Sequence, residues 1–218
     1  TTNTVFIQNG HAITTGGSFG SSINLAILQG GTFNCNHPST TASIQVYGGG
    51  TLNVNAALTN NGNFQIDSSG TCNYAYNSGS ATSLTSTIWN GTEIFKPQSN
   101  FIVKELPDPS NFFFVVDDND VSTNTNNSGT WSAMFGNLII DMSGSDNSQS
   151  FSLFNTGITK NLTHNDFIFR SSAPSVATYR ISSTGTINMG IGHDLITESG
   201  FTSTLNNTTS GDVTLNIK

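Results

Sequence analysis

A repeat of about twenty residues in the first third of the chain constrains its fold more than any other feature. Four stretches align: Val5-Phe6-Ile7 followed by Ala12-Ile13-Thr14-Thr15, Leu25-Ala26-Ile27 by Thr32-Phe33-Asn34-Cys35, Ile44-Gln45-Val46 by Thr51-Leu52-Asn53-Val54, and Phe64-Gln65-Ile66 by Thr71-Cys72-Asn73-Tyr74. The column Val5, Leu25, Ile44, Phe64 advances in near-equal steps, and Ile13, Phe33, Leu52, Cys72 advances by the same steps. Two strand-like pieces per near-constant period predict stacked repeats, a solenoid.

Alternation inside each piece says which way side chains point. In Thr51-Leu52-Asn53-Val54-Asn55, Leu52 and Val54 share one face while Thr51, Asn53 and Asn55 share the other. Apolar residues are expected to stack inward on their counterparts in neighbouring rungs, with Thr and Asn facing water and backbone groups paired in parallel between rungs. Gly30-Gly31 and Gly48-Gly49-Gly50 mark corners, where positive φ costs glycine little. Short alternating strands with glycine turns also suit an antiparallel sandwich or barrel. Such a fold has no need for like residues to recur at a fixed interval, and here they do.

Charged residues are 9% of the chain, against roughly 25% in ordinary soluble domains. Polarity comes from Ser, Thr, Asn and 22 Gly, while 15 Phe and the apolar columns argue for a packed interior. No amphipathic helix of three turns is evident. The net charge is −7, and the six Lys and Arg are scattered, which argues against nucleic acid as a partner. No apolar run approaches the ~18 residues of a membrane-spanning helix.

From about Ser80 to Asn127 the register blurs. Ile88 to Phe95 reads as a fifth rung, and Pro97, Pro107 and Pro109 follow. The apolar run Phe112-Phe113-Phe114-Val115-Val116 argues against a linker, so the stretch around 97–130 is expected to be a larger rung with a looped insertion. Regularity returns at Phe135-Gly136-Asn137-Leu138-Ile139-Ile140. Ile187 to Ile191 then aligns with Val213 to Ile217 at a step of 26, and Asn165-Asp166-Phe167-Ile168 echoes His193-Asp194-Leu195-Ile196 at a step of 28. Later rungs are wider than early ones. Residues 1–218 are read as a single domain. Its strands start and stop close to both ends of the chain, so it is expected to be a piece of a longer protein or to have covered ends.

Cys35 falls in the column of Val54 and Tyr74, and Cys72 in the column of Phe33 and Leu52. Two rungs separate them, roughly 9–10 Å along the stack. A disulfide needs Cα atoms within about 7 Å, so two buried free thiols are expected.

Chemistry-bearing residues are sparse. Asp117, Asp118 and Asp120, with Asn119 between them, form the densest acidic cluster and are candidate calcium (Ca2+) ligands. Their spacing matches neither the EF-hand nor the calcium-binding nonapeptide, and a solvated turn is the plainer account. Asp141, Ser143, Ser145 and Asp146 offer a weaker version. Parallel β-helices also serve polysaccharide lyases and hydrolases, which need paired carboxylates or a base beside a metal. The best set for that is Asp166 with Arg170, Arg180 and Lys160. Asp166 and Arg170 would share a strand face, as would an ordinary surface ion pair. His11, His37, His164 and His193 lack metal-ligand spacing, and His11 and His193 read as surface turn residues. Trp89, Trp131, Tyr47 and Tyr76 are candidates for stacking on sugar rings, though such residues more often cover a core edge. Sequons at Asn90, Asn126, Asn161, Asn206 and Asn207 arise readily in so Asn- and Thr-rich a chain. Ice binding would want a more regular Thr array than this one.

The opening Thr4-Val5-Phe6-Ile7-Gln8-Asn9-Gly10-His11-Ala12-Ile13-Thr14 and the phrase Gly49-Gly50-Thr51-Leu52-Asn53-Val54 with Leu58-Thr59-Asn60-Asn61-Gly62-Asn63-Phe64 resemble secreted repeat proteins of Bacteroidota. So do Phe135 to Ile140 and Tyr179 to Ile217. Those proteins are large, adhesin-like, surface-associated β-solenoids, often exported by the type IX secretion route. The resemblance spans most of the chain except about 97–130, rests on loose Gly-Thr-Leu-Asn phrases, and lacks the C-terminal sorting domain. It implies an extracellular location and a non-catalytic role, and it transfers no catalytic residue.

The expectation is therefore an all-β, right-handed parallel β-helix (β-solenoid) whose early rungs follow the twenty-residue period. Its expected role is a structural stalk, filament or adhesin segment without cofactor. Its partners would be other domains or copies of itself at open ends, or glycans and cell-surface ligands. A polysaccharide-binding or polysaccharide-cleaving module is the alternative.

Overall fold

A computed structural model describes residues 2–75, 93–104, 133–141, 150–154, 161–170, 178–182, 187–198, 206–207 and 213–217. Every regular element among them is a strand. The first repeat carries β1 (Asn3–Ile7) and β2 (Ala12–Thr14). The second carries β3 (Ile23–Ile27), β4 (Thr32–Cys35) and β5 (Ser39–Thr41), and the third β6 (Ser43–Val46), β7 (Thr51–Val54) and β8 (Leu58–Asn60). Next come β9 (Phe64–Ile66), β10 (Thr71–Tyr74), β11 (Glu93–Phe95), β12 (Asn100–Lys104), β13 (Ala133–Phe135), β14 (Asn137–Asp141), β15 (Ser150–Phe154), β16 (Asn161–Thr163) and β17 (Phe167–Arg170). The last five are β18 (Thr178–Ser182), β19 (Ile187–Ile191), β20 (Leu195–Thr197), β21 (Asn206–Asn207) and β22 (Val213–Ile217).

Equivalent strands pair in parallel, and successive neighbours in each sheet come from successive repeats. One sheet has the order β1-β3-β6-β9-β11, and an eight-stranded one runs β2-β4-β7-β10-β12-β14-β17-β20. Shorter sheets are β13-β16-β19-β22, β15-β18-β21 and β5-β8. The registers match the columns read from sequence. Val5 pairs with Leu25, Leu25 with Ile44, and Ile44 with Phe64. The second column runs Ile13, Phe33, Leu52, Cys72 and then continues through Phe101, Leu138, Phe167 and Leu195.

The interior follows from this register. Leu52, Phe64, Phe101, Leu138 and Phe167 are fully buried, and Phe33 nearly so. Each such side chain stabilises the fold by roughly 1.5–3 kcal/mol relative to exposure. Phe95 lies edge-on to Phe101, with centroids 5.7 Å apart, and Phe101 lies 5.5 Å from Phe135. Cys35 and Cys72 are free and buried in the adjacent columns the sequence assigns them.

Three features depart from the sequence reading. First, part of the stretch expected to be looped is regular: Asn100–Lys104 sits in the eight-stranded sheet between β10 and β14. The steps on either side of it exceed those of the early repeats, which hides it from a search at fixed period. Residues 105–132 lie outside the described residues. Second, two early repeats contain a third strand, β5 and β8, that turns polar groups inward. Thr41 and Asn60 are fully buried, and the Thr41 hydroxyl donates to Asn60 Oδ1 at 3.1 Å. Burial of those groups is tolerable because they satisfy one another. Third, Glu93 enters the column of Phe64 and is only 4% exposed.

One corner is a stack of identical turns. Gly50 N–H donates to Tyr47 O at 2.8 Å, Gly70 N–H to Asp67 O at 2.8 Å, and Ser99 N–H to Lys96 O at 3.0 Å. The third turn residue has left-handed backbone in each of the first five repeats: φ is 76° at Gly10, 70° at Gly30, 77° at Gly49, 60° at Ser69 and 65° at Gln98. With ordinary φ at the second position, these are type II turns, and Pro97 occupies the second position of the last.

Candidate functional site

The outward face of the eight-stranded sheet carries three side-chain columns, and each changes character halfway along. Nearest the strand starts lie Thr32, Thr51, Thr71, Asn100 and Asn137. Asp166 and Asp194 continue this column, since each directly precedes a residue of the inward column. Asn137 Nδ2 donates to Asn100 Oδ1 at 3.0 Å, Asp166 N–H to Asn137 Oδ1 at 3.1 Å, and Asp194 N–H to Asp166 Oδ1 at 3.2 Å.

The second column begins as an amide ladder. Asn34 Nδ2 donates to Thr14 Oγ1 at 3.0 Å, Asn53 to Asn34 at 2.7 Å, and Asn73 to Asn53 at 2.8 Å. It then becomes Ile102, Ile139, Ile168 and Ile196. Outward Asn residues thus bond chiefly to one another rather than simply facing water. The third column pairs Asn55 with Asn36, Nδ2 to Oδ1 at 2.8 Å. Later it holds Lys104, Asp141 and Arg170 in register, with Arg170 Nη2 3.0 Å from Asp141 Oδ2.

Among the described residues, three ionisable groups meet where β16 turns into β17 and β19 into β20. His193 Nδ1 is 2.9 Å from Asp166 Oδ1 and 3.2 Å from Asp194 Oδ2. The side chains of Asp166, His193 and Asp194 are 28%, 69% and 60% exposed. Hydrogen bonding to Asp166, then the charges of Asp194 and Asp166, push the His193 imidazole above its ordinary value. His164 in the same corner moves the other way, because burial disfavours its charged form. The two corners are tied by backbone bonds: Phe167 N–H to Asp194 O at 2.9 Å, and His193 N–H to Asn165 O at 3.1 Å.

Of the set proposed from sequence for polysaccharide chemistry, Asp166 and Arg170 are not bonded to one another, and the side chains of Lys160 and Arg180 lie outside the described residues. Asp166 faces His193, whereas Arg170 bonds to Asp141. Alternation places both on the same side of the chain, each half-buried, but the groups they touch differ. Lys160 lies outside the described residues, as do the candidate calcium ligands Asp117, Asp118 and Asp120, the residues Ser143, Ser145 and Asp146, and the aromatic residues Trp89, Trp131 and Tyr76. His193 is an exposed turn residue, as its sequence suggests. Asp194 is its neighbour in the chain, whereas its contact with Asp166 arises across repeats and is concealed by the spacing. The step of 28 that aligns Asp166 with Asp194 is the available signal.

Among the described residues, no helix is long and apolar enough to cross a membrane. Compared with known proteins, the chain matches no family model, no curated protein and no solved structure.

Proposed function

We propose that the parallel repeats wind into a right-handed β-helix whose coils widen in the second half. We further propose that this rod is a non-catalytic structural segment of a secreted or cell-surface protein: a stalk, filament or adhesin. The observation that carries the reading is the inward-facing column from Ile13 to Leu195, buried from Phe33 to Phe167, which keeps its register through all eight strands of one sheet. A continuous ladder of backbone bonds with few charges suits a rod exposed to proteases outside the cell, and the resemblance to Bacteroidota surface proteins points the same way. Val5, Phe6 and Ile13 are 36%, 59% and 39% exposed along β1 and β2. That edge is where a further domain or a second copy would add its strands.

A glycan array combined with a reducing-sugar release assay tests this reading. Binding without cleavage, or neither, is expected. Sugar release that disappears in Asp166→Asn would overturn it in favour of a polysaccharide-cleaving module. Electron microscopy of the complete mature protein tests end-to-end assembly, for which monomers alone would be the contrary result.

A further inference from the structure

We propose that Asp166, His193 and Asp194 form a binding site for a first-row divalent transition metal, with Zn2+ the best-fitting ion, bridging two successive repeats. The proposal is independent of the role of the rod. One ligand atom from each residue can be chosen so that all three lie within 4.8 Å of one another. The distances from His193 Nδ1 to the two carboxylates, 2.9 and 3.2 Å, are close to the edge of a ligand tetrahedron. With metal–ligand bonds of about 2.0–2.1 Å, that edge is roughly 3.3 Å. The 4.8 Å that bounds all three atoms is wider than that edge, so an ion seated here would draw the side chains inward.

The donor set selects the class of ion. One imidazole nitrogen with two carboxylates suits Zn2+ and its first-row neighbours, whereas Ca2+ takes six or more oxygens. Three protein ligands on an exposed corner leave the remaining position to water or an outside group.

The supporting structure holds the ligands in place. Asp166 and Asp194 occupy the same position in consecutive repeats, at the starts of paired strands. Asp166 Oδ1 accepts the Asp194 N–H, and Asp166 N–H is anchored on Asn137 Oδ1. Arg170, on the same face, is engaged with Asp141. Among the described residues, His193 is the ion-pair partner of Asp166 and Asp194.

Calorimetric titration of the chelator-treated full chain with ZnCl2 tests the site, with CaCl2 as the comparison. About one equivalent of Zn2+ is expected to bind, with affinity at least about tenfold lower in His193→Gln and in Asp166→Asn. Circular dichroism of the metal-free variants should match the parent, since both side chains lie at the surface corner. Co2+ loading supplies a second readout: a visible spectrum typical of low-coordinate cobalt with a nitrogen donor, present in the parent and absent in His193→Gln. Failure to bind Zn2+, equal affinity in His193→Gln, or equal binding of Ca2+ would each overturn the proposal, leaving only a hydrogen-bonded acidic corner.

Discussion

Ser69 and Gln98 hold the same turn position in successive repeats, and Ser69 N–H donates to Gln98 O at 3.0 Å. Both have left-handed backbone where the three earlier repeats place Gly10, Gly30 and Gly49. A side chain in that conformation costs about 1–2 kcal/mol, partly offset by the entropy that glycine would lose on folding. Ser69→Gly and Gln98→Gly should therefore each stabilise the protein by about 0.5–1 kcal/mol. Gly49→Ala should destabilise it. Thermal melting reads all three, and a lower midpoint in both glycine variants would contradict the stacked-turn account.

Leu52 lies between Phe33 and Cys72 in the interior column and is fully buried. Leu52→Ala should cost about 2–5 kcal/mol through the cavity it leaves. Leu52→Asp, which buries a carboxylate among apolar side chains, should cost more than about 4 kcal/mol and unfold the adjoining repeats. Unchanged melting of Leu52→Asp would refute the assignment of that column to the core.

Burial pushes both cysteine thiols above their ordinary value, and neither residue has measurable exposure. The thiolate is the reactive form. In the native protein Cys35 and Cys72 should resist a thiol-specific chromogenic reagent, and both should react once the chain is unfolded in denaturant. Rapid modification without denaturant would show that the interior opens.

Asp67 and Lys96 open consecutive turns of the same corner, with Lys96 Nζ 2.8 Å from Asp67 Oδ1. Burial raises the Asp67 carboxyl. Hydrogen bonds from Lys96 and Gln65 and the charge of Lys96 outweigh it, so the net shift is downward. A depressed carboxyl contributes stability above its unfolded value, and that contribution is lost as pH falls through the folded value. Lys96→Met should therefore raise the Asp67 midpoint in an NMR titration. It should also flatten the loss of stability on acidification below about pH 4. An unmoved Asp67 midpoint would mean that the ion pair does not form in solution.

Much of this fold was legible because its period is written in residue identities. Phe33, Leu52 and Cys72 could be aligned by counting, and the side on which each points follows from strand alternation. Parallel register, buried thiols and the match of Ile187 to Val213 follow from the same rule. The legibility ended where the period stretched. Asn100–Lys104 belongs to the main sheet, with Asn100 in register between Thr71 and Asn137. The step from Thr71 to Asn100 is 29 and that from Asn100 to Asn137 is 37. No fixed interval finds both.

By itself, the order of amino acids determined which residues stack, because identical positions one repeat apart must bury the same face to keep an interior dry. Tertiary structure decided which polar groups from different repeats meet. Asp166 could have reached Arg170, further along the same stretch of chain. It bonds instead to His193 in the next repeat, because stacking brings that repeat to about 4.8 Å, closer than the next outward residue on the same strand. At Asp166 the contact across repeats therefore prevails over the one along the chain, and the composition of this corner is set largely by what lies above and below it.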